Sequence, residues 1–187
     1  MNVYFDNAAT TKIRDEVIDN MSNVLKDCFG NPSSTHSYGR SAKSYIETSR
    51  KSIAKILNCD PGEIIFNSGG TESDNSILKC AVNDLGVKHI ISSKIEHHAI
   101  THTLDELKLE GIKVHYVKLS ENGNVDIDNL EYLLSFNDEP KLVTLMYINN
   151  EIGNILDIKS VSDLCQKYNS FFHTDAVQAV GHYKVDL

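Results

Sequence analysis

Tryptophan is absent from this chain, proline is scarce and basic residues are outnumbered, and each shortage excludes a class of protein. The 187 residues contain 3 Pro, 10 Gly and 41% hydrophobic residues, with 18 Lys and Arg against 26 Asp and Glu. This composition excludes fibrous repeats and intrinsic disorder, and the length suits a globular domain with a sizeable core. A net charge of −8 without a basic stripe argues against a nucleic acid partner.

Long apolar runs and cysteine pairs are also missing. No apolar run approaches the roughly 18 residues that a membrane span needs, and the start, MNVYFD, lacks the regions of a signal peptide. We therefore expect a cytoplasmic protein with no membrane partner. Four cysteines without a CxxC pair indicate reduced thiols: Cys28, Cys59, Cys80 and Cys165.

Short apolar runs alternate with helical patterns from about residue 60 onward. Strands this apolar, separated by helices, predict an α/β fold whose mostly parallel sheet is covered by helices on both faces. The strands are predicted at 63–66, 88–92, 113–119, 141–148 and 171–174, and the helices at 71–84, 98–110, 126–135 and 158–168.

The first 60 residues follow another pattern. Two helices predicted at 14–26 and 41–57 indicate an arm that braces the sheet. We therefore expect an N-terminal arm over 1–60 and an α/β domain over 61–187. Another apolar run is expected where the sequence stops, at Val185-Asp186-Leu187, so we expect this domain to be incomplete.

A glycine-rich segment, NSGGTES at 67–73, follows a predicted strand and begins a predicted helix. Backbone N–H groups, hydroxyls and the positive end of the helix dipole can bind a phosphate there. The segment matches neither the dinucleotide fingerprint nor the Walker loop, and such turns also form for steric reasons alone. Phosphate binding and a purely structural turn both fit this pattern.

Histidines gather just after the second predicted strand. His97 and His98 lie at the start of a predicted helix, and His102 follows His98 by four positions, a spacing at which two imidazoles can share a metal ion. The usual third ligand and the glutamate of a zinc protease are not evident, so we predict no metal. A catalytic imidazole and a solvated histidine both remain open.

Polar side chains follow the later strands too. The amides of Asn149 and Asn150 come after one apolar run, and Asp175 ends the next, with Gln178 one helical turn later. A turn or a helix cap would show the same residues. Because the carboxyl ends of parallel strands meet at one edge, we expect these groups to converge with the phosphate-type turn and the histidine. Pyridoxal phosphate fits this set, since its ring nitrogen needs a carboxylate and its phosphate needs donors.

Seven motifs together resemble the cysteine desulfurases of the NifS/IscS type, within the class V aminotransferase family. The resemblance implies the large domain of a fold-type I pyridoxal phosphate enzyme, and a homodimer in the complete protein. The motifs follow the family's order along nearly the whole chain: YFDNAATT at 4–11, FGNPSS at 29–34, HSYGR at 36–40, SGGTESDN at 68–75, EHHA at 96–99, NNEIG at 149–153 and HTDAVQAVG at 173–181.

The resemblance also implies roles for individual residues. Gly70 and Thr71 would hold the cofactor phosphate, and His97 would stack on the pyridine ring and assist proton transfer. Asn150 would contact the cofactor on the substrate side. These roles agree with the chemistry of the side chains, because stacking needs a flat ring and a phosphate needs N–H and O–H donors.

Two more residues complete the implied cofactor site. Asp175 would pair with the ring nitrogen, and Gln178 would hydrogen-bond the phenolic oxygen of the ring. The carboxylate suits a pyridinium, because the protonated ring acts as an electron sink. None of the implied site residues is a metal ligand.

The family's members are about twice as long as this chain. The resemblance therefore implies that the lysine that binds the cofactor, in a Ser-x-His-Lys segment, lies shortly beyond Leu187. The nucleophilic cysteine, the substrate-binding arginine and the smaller C-terminal domain would lie later still. We expect the chain alone to be inactive.

The implied activity of the complete protein is conversion of L-cysteine to L-alanine. Sulfur would pass to an enzyme persulfide and on to an acceptor or iron–sulfur scaffold protein, for Fe–S cluster or thio-cofactor biosynthesis. Three alternatives stay open: another class V enzyme such as a selenocysteine lyase or aminotransferase, a non-catalytic half-protein that serves as an interaction module, and a zinc hydrolase using His98 and His102.

Overall fold

The computed structural model describes residues 1–186 and divides them into two compact units. One unit comprises Met1–Phe66 and the residues from Lys184 on, and the other comprises Asn67–Tyr183. The helices are α1 (Asp15–Asp27), α2 (Ser37–Leu57), α3 (Gly70–Asn83), α4 (His98–Leu109), α5 (Ile127–Ser135) and α6 (Ile158–Lys167). The strands are β1 (His89–Ser92), β2 (Lys113–Tyr116), β3 (Lys141–Thr144) and β4 (Phe171–His173).

The four strands form one parallel sheet in the order β2-β1-β3-β4. His89 is in register with Lys113 of β2 on one side and with Lys141 of β3 on the other. The chain therefore leaves β1 in one direction to form β2 and returns to the opposite side to form β3. This reversal places a topological switch point between β1 and β3, where open α/β sheets bind ligands at the carboxyl ends of their strands.

Both faces of the sheet are covered by helices, as the apolar strands predict. Successive residues of a strand point to opposite faces, so Ile90 joins the cluster on one face and Ile91 the cluster on the other. The first cluster contains buried residues of α3 and α4, and the second contains buried residues of α5 and α6. The expected parallel α/β architecture is confirmed within the described residues.

Local sequence signals fix the starts of several helices. The side chain of Asp126 accepts a hydrogen bond from the N–H of Asn129 at the start of α5, and that of Asp157 accepts from Ser160 at the start of α6. Such caps satisfy backbone donors that have no partner within the helix. They explain why the helical patterns read from the sequence agree with the observed elements.

The unit of the N-terminal residues contains α1 and α2, so both predicted helices are confirmed. No residue of α1 is buried, whereas Gly39, Ala42 and Ala54 of α2 are buried. A Cβ on Gly39 would lie 2.3 Å from the carbonyl oxygen of Ser34, so glycine is required where α2 meets the preceding turn. The expected division between 60 and 61 stays a prediction.

The strand predicted at 63–66 is wrong. Pro61–Glu63 form a short 3-10 helix, in which the carboxylate of Glu63 accepts a hydrogen bond from the N–H of Asp60 at 2.8 Å. Ile64, which follows it, has an extended backbone, but no strand in the described chain pairs with this segment, and Ile65 is exposed. A strand exists only where a neighbour completes the hydrogen-bond ladder.

Two other strands are shorter than the apolar runs from which they were predicted. β2 ends at Tyr116 and β3 at Thr144, although the runs continue to Leu119 and Ile148. Isolated antiparallel bridges pair Leu119 with Val125 and Ile148 with Ile155, so the chain turns away at these points. Leu187, at the end of the predicted domain, lies outside the described residues. None of the described helices is both long and apolar enough for a membrane span.

We predict that the buried face of α4 contributes strongly to the stability of the larger unit. Leu104 is fully buried in α4, and Leu109 of the same helix is 91% exposed. Leu104→Ala should lower the free energy of unfolding by about 2–5 kcal/mol, because it removes buried carbon and leaves a cavity. Leu109→Ala is the matched control and should change it by less than about 0.5 kcal/mol. Urea titration followed by circular dichroism measures both, and equal effects would contradict the assignment of the buried face.

Candidate cofactor site

The carboxyl ends of β1, β3 and β4 lead into the segments that carry the predicted site residues. His97 follows β1, Asn150 follows β3, and both Asp175 and Gln178 follow β4. The N–H of Tyr147 donates to the carbonyl oxygen of Asp175 at 2.9 Å, which continues the pairing of β3 and β4 beyond the strands. The backbone at Asp175 is therefore fixed beside the chain that leaves β3.

Helix α3 begins without a side-chain cap. Gly69 occupies the capping position with φ 156°, a conformation that is open chiefly to glycine, and it has no side chain to bind the first N–H groups of the helix. A Cβ on Gly70 would lie 2.8 Å from Cγ2 of Val177, so glycine allows the helix start to approach the turn after β4. Gly70, Thr71, Asp175 and Gln178 thus belong to one neighbourhood.

His97 lies at the start of α4, where its Nδ1 accepts a hydrogen bond from the N–H of Ala99 at 3.2 Å. Its exposed ring lines a cavity of about 320 Å³ together with Asn150, so the structure brings these two predicted residues together. The side-chain amide of Asn150 donates to the carboxylate of Glu151 at 3.0 Å. Glu96 also lines this cavity, and the charges of Asp175 and Asp74 act on its carboxyl, so the cavity lies near the group around the start of α3.

The other two histidines of the motif lie along α4. The rings of His98 and His102 stack with their centroids 5.1 Å apart. Across residues 1–186, no group of three or more His, Cys, Asp or Glu side chains is arranged to hold a metal ion. In the structure, the rings of His98 and His102 contact each other.

Asp175 is a buried carboxylate, 6% exposed. Its Oδ1 accepts a hydrogen bond from the N–H of Val177 at 2.9 Å, which forms a tight turn immediately after the strand. Gln178 lies in the same turn. The alternative of a helix cap does not apply, because the described chain forms a turn at this point and no helix.

Two further buried carboxyls surround Asp175. Asp74 of α3 is 4% exposed and Glu96, which directly precedes His97, is 9% exposed. Burial, with the negative charge of Asp175 adding to it, raises the pKa of Asp74 to about 7. Burial also raises the pKa of Glu96 to about 7, against the opposing hydrogen bonds from Ser93 and Met146. Both carboxyls therefore bind a proton at a much higher pH than ordinary carboxyls do, and they titrate around neutral pH.

His173 extends this buried polar cluster. Its Nε2 lies 3.5 Å from Oδ1 of Asp74, and its Nδ1 lies 2.9 Å from the hydroxyl of Thr144. Burial lowers the pKa of His173, although the charge of Asp175 opposes that effect. Because burial raises the pKa of Asp74 as well, we interpret the contact with Asp74 as one between neutral groups and not as an ion pair.

Asp74 and Glu96 belong to the motifs at 68–75 and 96–99, but the sequence predicts no role for either residue. A signal for Asp74 was present, because Asp74, Leu78 and Ala81 lie on one face of α3 and the last two are core residues. Asn149 is one of the two amides predicted to follow β3. It is buried, and it donates to the carbonyl oxygen of Ile95 at 2.7 Å, so it links the loops that follow β3 and β1.

Asp74 generates a prediction about pH. Its pKa is about 7 in the folded protein, against an ordinary value of 3.8, so the wild type loses stability as pH rises through this interval. Asp74→Asn removes that dependence. The difference in unfolding free energy between the variant and the wild type should therefore grow by roughly 2–3 kcal/mol from pH 5 to pH 8. Urea titrations at both pH values measure it, with the exposed Asp138→Asn as control, and a constant difference would contradict the prediction.

Comparison with known proteins identifies relatives of the whole chain. The model of the family described as aminotransferase class-V matches residues 3–187. A cysteine desulfurase IscS from Clostridium botulinum (strain Kyoto / Type A2) is 43% identical over 99% of this chain and 47% of its own length. One from Dictyoglomus turgidum is 44% identical with the same coverage. The chain thus spans about half the length of the curated relatives it matches.

Solved structures agree with this result. A NifS-like protein is 38% identical with a TM-score of 0.95, over 100% of this chain and 52% of that one. A structure of SspA in complex with cysteine is 31% identical with a TM-score of 0.91, over 98% and 53% of the two chains. The expected fold of the large domain is confirmed, and the chain belongs to the class V aminotransferase family.

Proposed function

We propose that this chain provides the pyridoxal phosphate cradle of a cysteine desulfurase. The observation that carries the proposal is the buried carboxylate of Asp175, which lies beside the uncapped start of α3 at the carboxyl edge of a parallel sheet. A group with an anionic phosphate at one end and a protonated ring nitrogen at the other needs both features. The curated relatives named cysteine desulfurase support this choice of reaction.

The residues present fit the cofactor. The start of α3 has backbone N–H groups without a side-chain cap, and the hydroxyl of Thr71 lies in its first turn. A phosphate is stabilised by such donors and by the helix dipole. Asp175 is the carboxyl placed to face the ring nitrogen, and the raised pKa values of Asp74 and Glu96, each about 7, reduce the negative charge that these two neighbours add. One carboxyl and one set of donors match the two ends of pyridoxal phosphate.

Each residue then has a distinct task. Gly70 and Thr71 bind the phosphate through N–H and O–H groups, and Asp175 holds a proton at the ring nitrogen. Pyridoxal phosphate, when bound, supplies an electron sink for negative charge at the α-carbon of an amino acid. His97 stacks on the ring and assists proton transfer, and Gln178 donates to the phenolic oxygen. Asn150 contacts the substrate side of the site, in the cavity that it shares with His97.

Cysteine is the proposed substrate of the complete protein, with sulfur passed to an acceptor or iron–sulfur scaffold protein. The related SspA, whose structure is a complex with cysteine, supports this substrate. The chain spans about half the length of its relatives. We therefore propose, for a protein of the relatives' full length, a lysine that binds the cofactor, a nucleophilic cysteine and a homodimer, as the resemblance implies. A cytoplasmic location is part of the same proposal.

The first test of this function is binding of the cofactor. Titration of the chain with pyridoxal phosphate, followed by absorbance and circular dichroism of the bound ring, should show saturable binding. Asp175→Ala should weaken the affinity by about tenfold or more, because it removes a charge-assisted hydrogen bond worth roughly 1.5–3 kcal/mol.

Two neighbouring histidines provide a matched comparison in the same titration. His97→Ala should weaken binding severalfold, because it removes the stacking ring. His98→Ala should change the affinity by less than about twofold, since only His97 matches the stacking position. Weaker binding by His98→Ala than by His97→Ala would overturn the assignment of the motif. Absence of binding by the wild type would overturn the proposed function.

We also predict that the chain alone does not release sulfur from cysteine. A persulfide requires a thiolate, but burial raises the pKa of Cys165 to about 12. Burial and nearby acidic groups raise the pKa of Cys59, and a hydrogen bond with Asp84 raises that of Cys80. Incubation with pyridoxal phosphate, L-cysteine and a reductant should give no more alanine and sulfide than the cofactor alone. Alanine well above that background would show that a residue of this chain acts as base and acceptor.

A further inference from the structure

The side-chain amide of Asn149 is buried and bonded on both sides, and the residue is 6% exposed. Its Nδ2 donates to the carbonyl oxygen of Ile95 at 2.7 Å, in the loop that follows β1. Its Oδ1 accepts from the N–H groups of Glu151 and Ile152 at 2.9 and 3.0 Å. The oxygen therefore folds the loop to which Asn149 belongs, and the nitrogen holds the neighbouring loop.

The loop 149–154 is also held at its far end. Nδ2 of Asn154 donates to the carbonyl oxygen of Asn122 at 2.6 Å and to Oδ1 of Asn124 at 2.9 Å, both in the segment between β2 and α5. Within the loop, the N–H of Asn149 donates to the carbonyl oxygen of Asn154 at 3.0 Å. Residues 149–154 therefore form a fixed support for the loop after β1.

The bond from Asn149 to Ile95 lies beyond the strand pairing and beside open space. The pairing of β1 with β3 ends at Ile91 and Val143. Both Ile95 and Asn149 line the cavity of about 320 Å³ and also a second cavity of about 190 Å³. A void removes packing contacts from the residues around it. A buried hydrogen bond therefore contributes more to holding these loops together than it would in a filled core.

The same bond lies within two residues of two predicted site residues. His97 follows Ile95 by two positions, and Asn150 follows Asn149 directly. The ring of His97 is bonded only locally among the hydrogen bonds described above, through Nδ1 to the N–H of Ala99. The place of the ring therefore depends on the backbone that carries it, and movement of one loop against the other would change the separation of His97 and Asn150.

We propose that Asn149 is a positioning residue whose side-chain amide holds the loop after β1 against the loop 149–154 and so fixes His97 relative to Asn150. The positioning role rests on the proposed function, because it is at a cofactor site that the place of the His97 ring matters. The hydrogen bond between Asn149 and Ile95 does not depend on a cofactor, so it can be tested separately.

The bond is tested first without cofactor, by hydrogen exchange of the full chain. Asn149→Ala should raise exchange at least tenfold in 93–99 and in 150–153, because the variant loses both the donor and the acceptor. Asn149→Ser should raise exchange in 93–99 but leave 150–153 within about threefold of wild type. Its hydroxyl can still accept a bond from the N–H two residues on, as serine does in turns, but it is too short to replace the bond to Ile95.

An exposed asparagine provides the matched control. Asn83→Ala, at the end of α3, should leave exchange in 93–99 within threefold of wild type. Exchange in the core segment 161–165 shows whether a variant is unfolding globally. Protection of 93–99 equal to that of wild type in Asn149→Ala would overturn the proposal, and Asn149→Ser decides in its place if Asn149→Ala does not fold.

The positioning role is tested by a double-mutant cycle on the affinity for pyridoxal phosphate. Asn149→Ser and His97→Ala should each weaken binding severalfold, but the double variant should be no weaker than His97→Ala alone. The circular dichroism of the bound ring in Asn149→Ser should shift from that of wild type toward that of His97→Ala. Additive effects on the affinity would show that Asn149 does not act through His97 and would overturn the positioning role.

The two proposals fail in different ways. If the wild-type chain does not bind pyridoxal phosphate, the proposed function is overturned, while exchange in 93–99 still decides whether Asn149 holds the loop. If wild-type binding is saturable but the Asn149 variants leave exchange and affinity unchanged, the role of Asn149 is overturned and the proposed function stands.

Discussion

The parallel hydrogen-bond ladder between β1 and β3 is the interaction on which the candidate site depends. It aligns His89 with Lys141 and so brings the carboxyl ends of both strands to the same edge of the sheet. The two strands are far apart in sequence, and their following loops carry His97 and Asn150. A change of register by one residue would exchange the faces of Ile90 and Ile91, whose burial in separate clusters therefore fixes the register.

The sequence was sufficient to predict the α/β fold because its signals are local and mutually consistent. Apolar runs of strand length alternate with helical patterns, and Asp126 and Asp157 begin helices with their side chains as caps. The convergence of polar groups at one edge then follows from parallel pairing alone. His97, Asn150 and Asp175 all follow strands of this sheet at the same edge for this reason.

Features that depend on distant neighbours were beyond such reasoning. The segment 63–66 has the composition of a strand, but composition does not reveal whether a partner strand is present. The apolar run 141–148 likewise does not reveal where pairing ends. Glu96 looks like any surface glutamate in the sequence, and only the folded chain shows it buried beside Asp74 and Asp175. Burial of a charge is a property of the assembled structure.

A buried carboxyl that is neutral behaves differently from one that is ionised. Burial raises the pKa of both Asp74 and Glu96 to about 7, and the negative charge of Asp175 adds to each shift. Three ionised carboxylates in one buried cluster would repel each other without compensation.

The composition of the two apolar clusters has a consequence for synthesis on the ribosome. The cluster on the α3 and α4 face consists of residues between Leu78 and Ile112, with Leu142 the one member from farther along the chain. The opposite cluster needs residues from Ile91 to Cys165. Because the chain emerges from its N-terminus, the first face can pack while the second is still being translated. During synthesis, one face of the sheet can therefore be covered before the other. The edge of β1 that pairs with β3 stays unpaired until β3 has been translated.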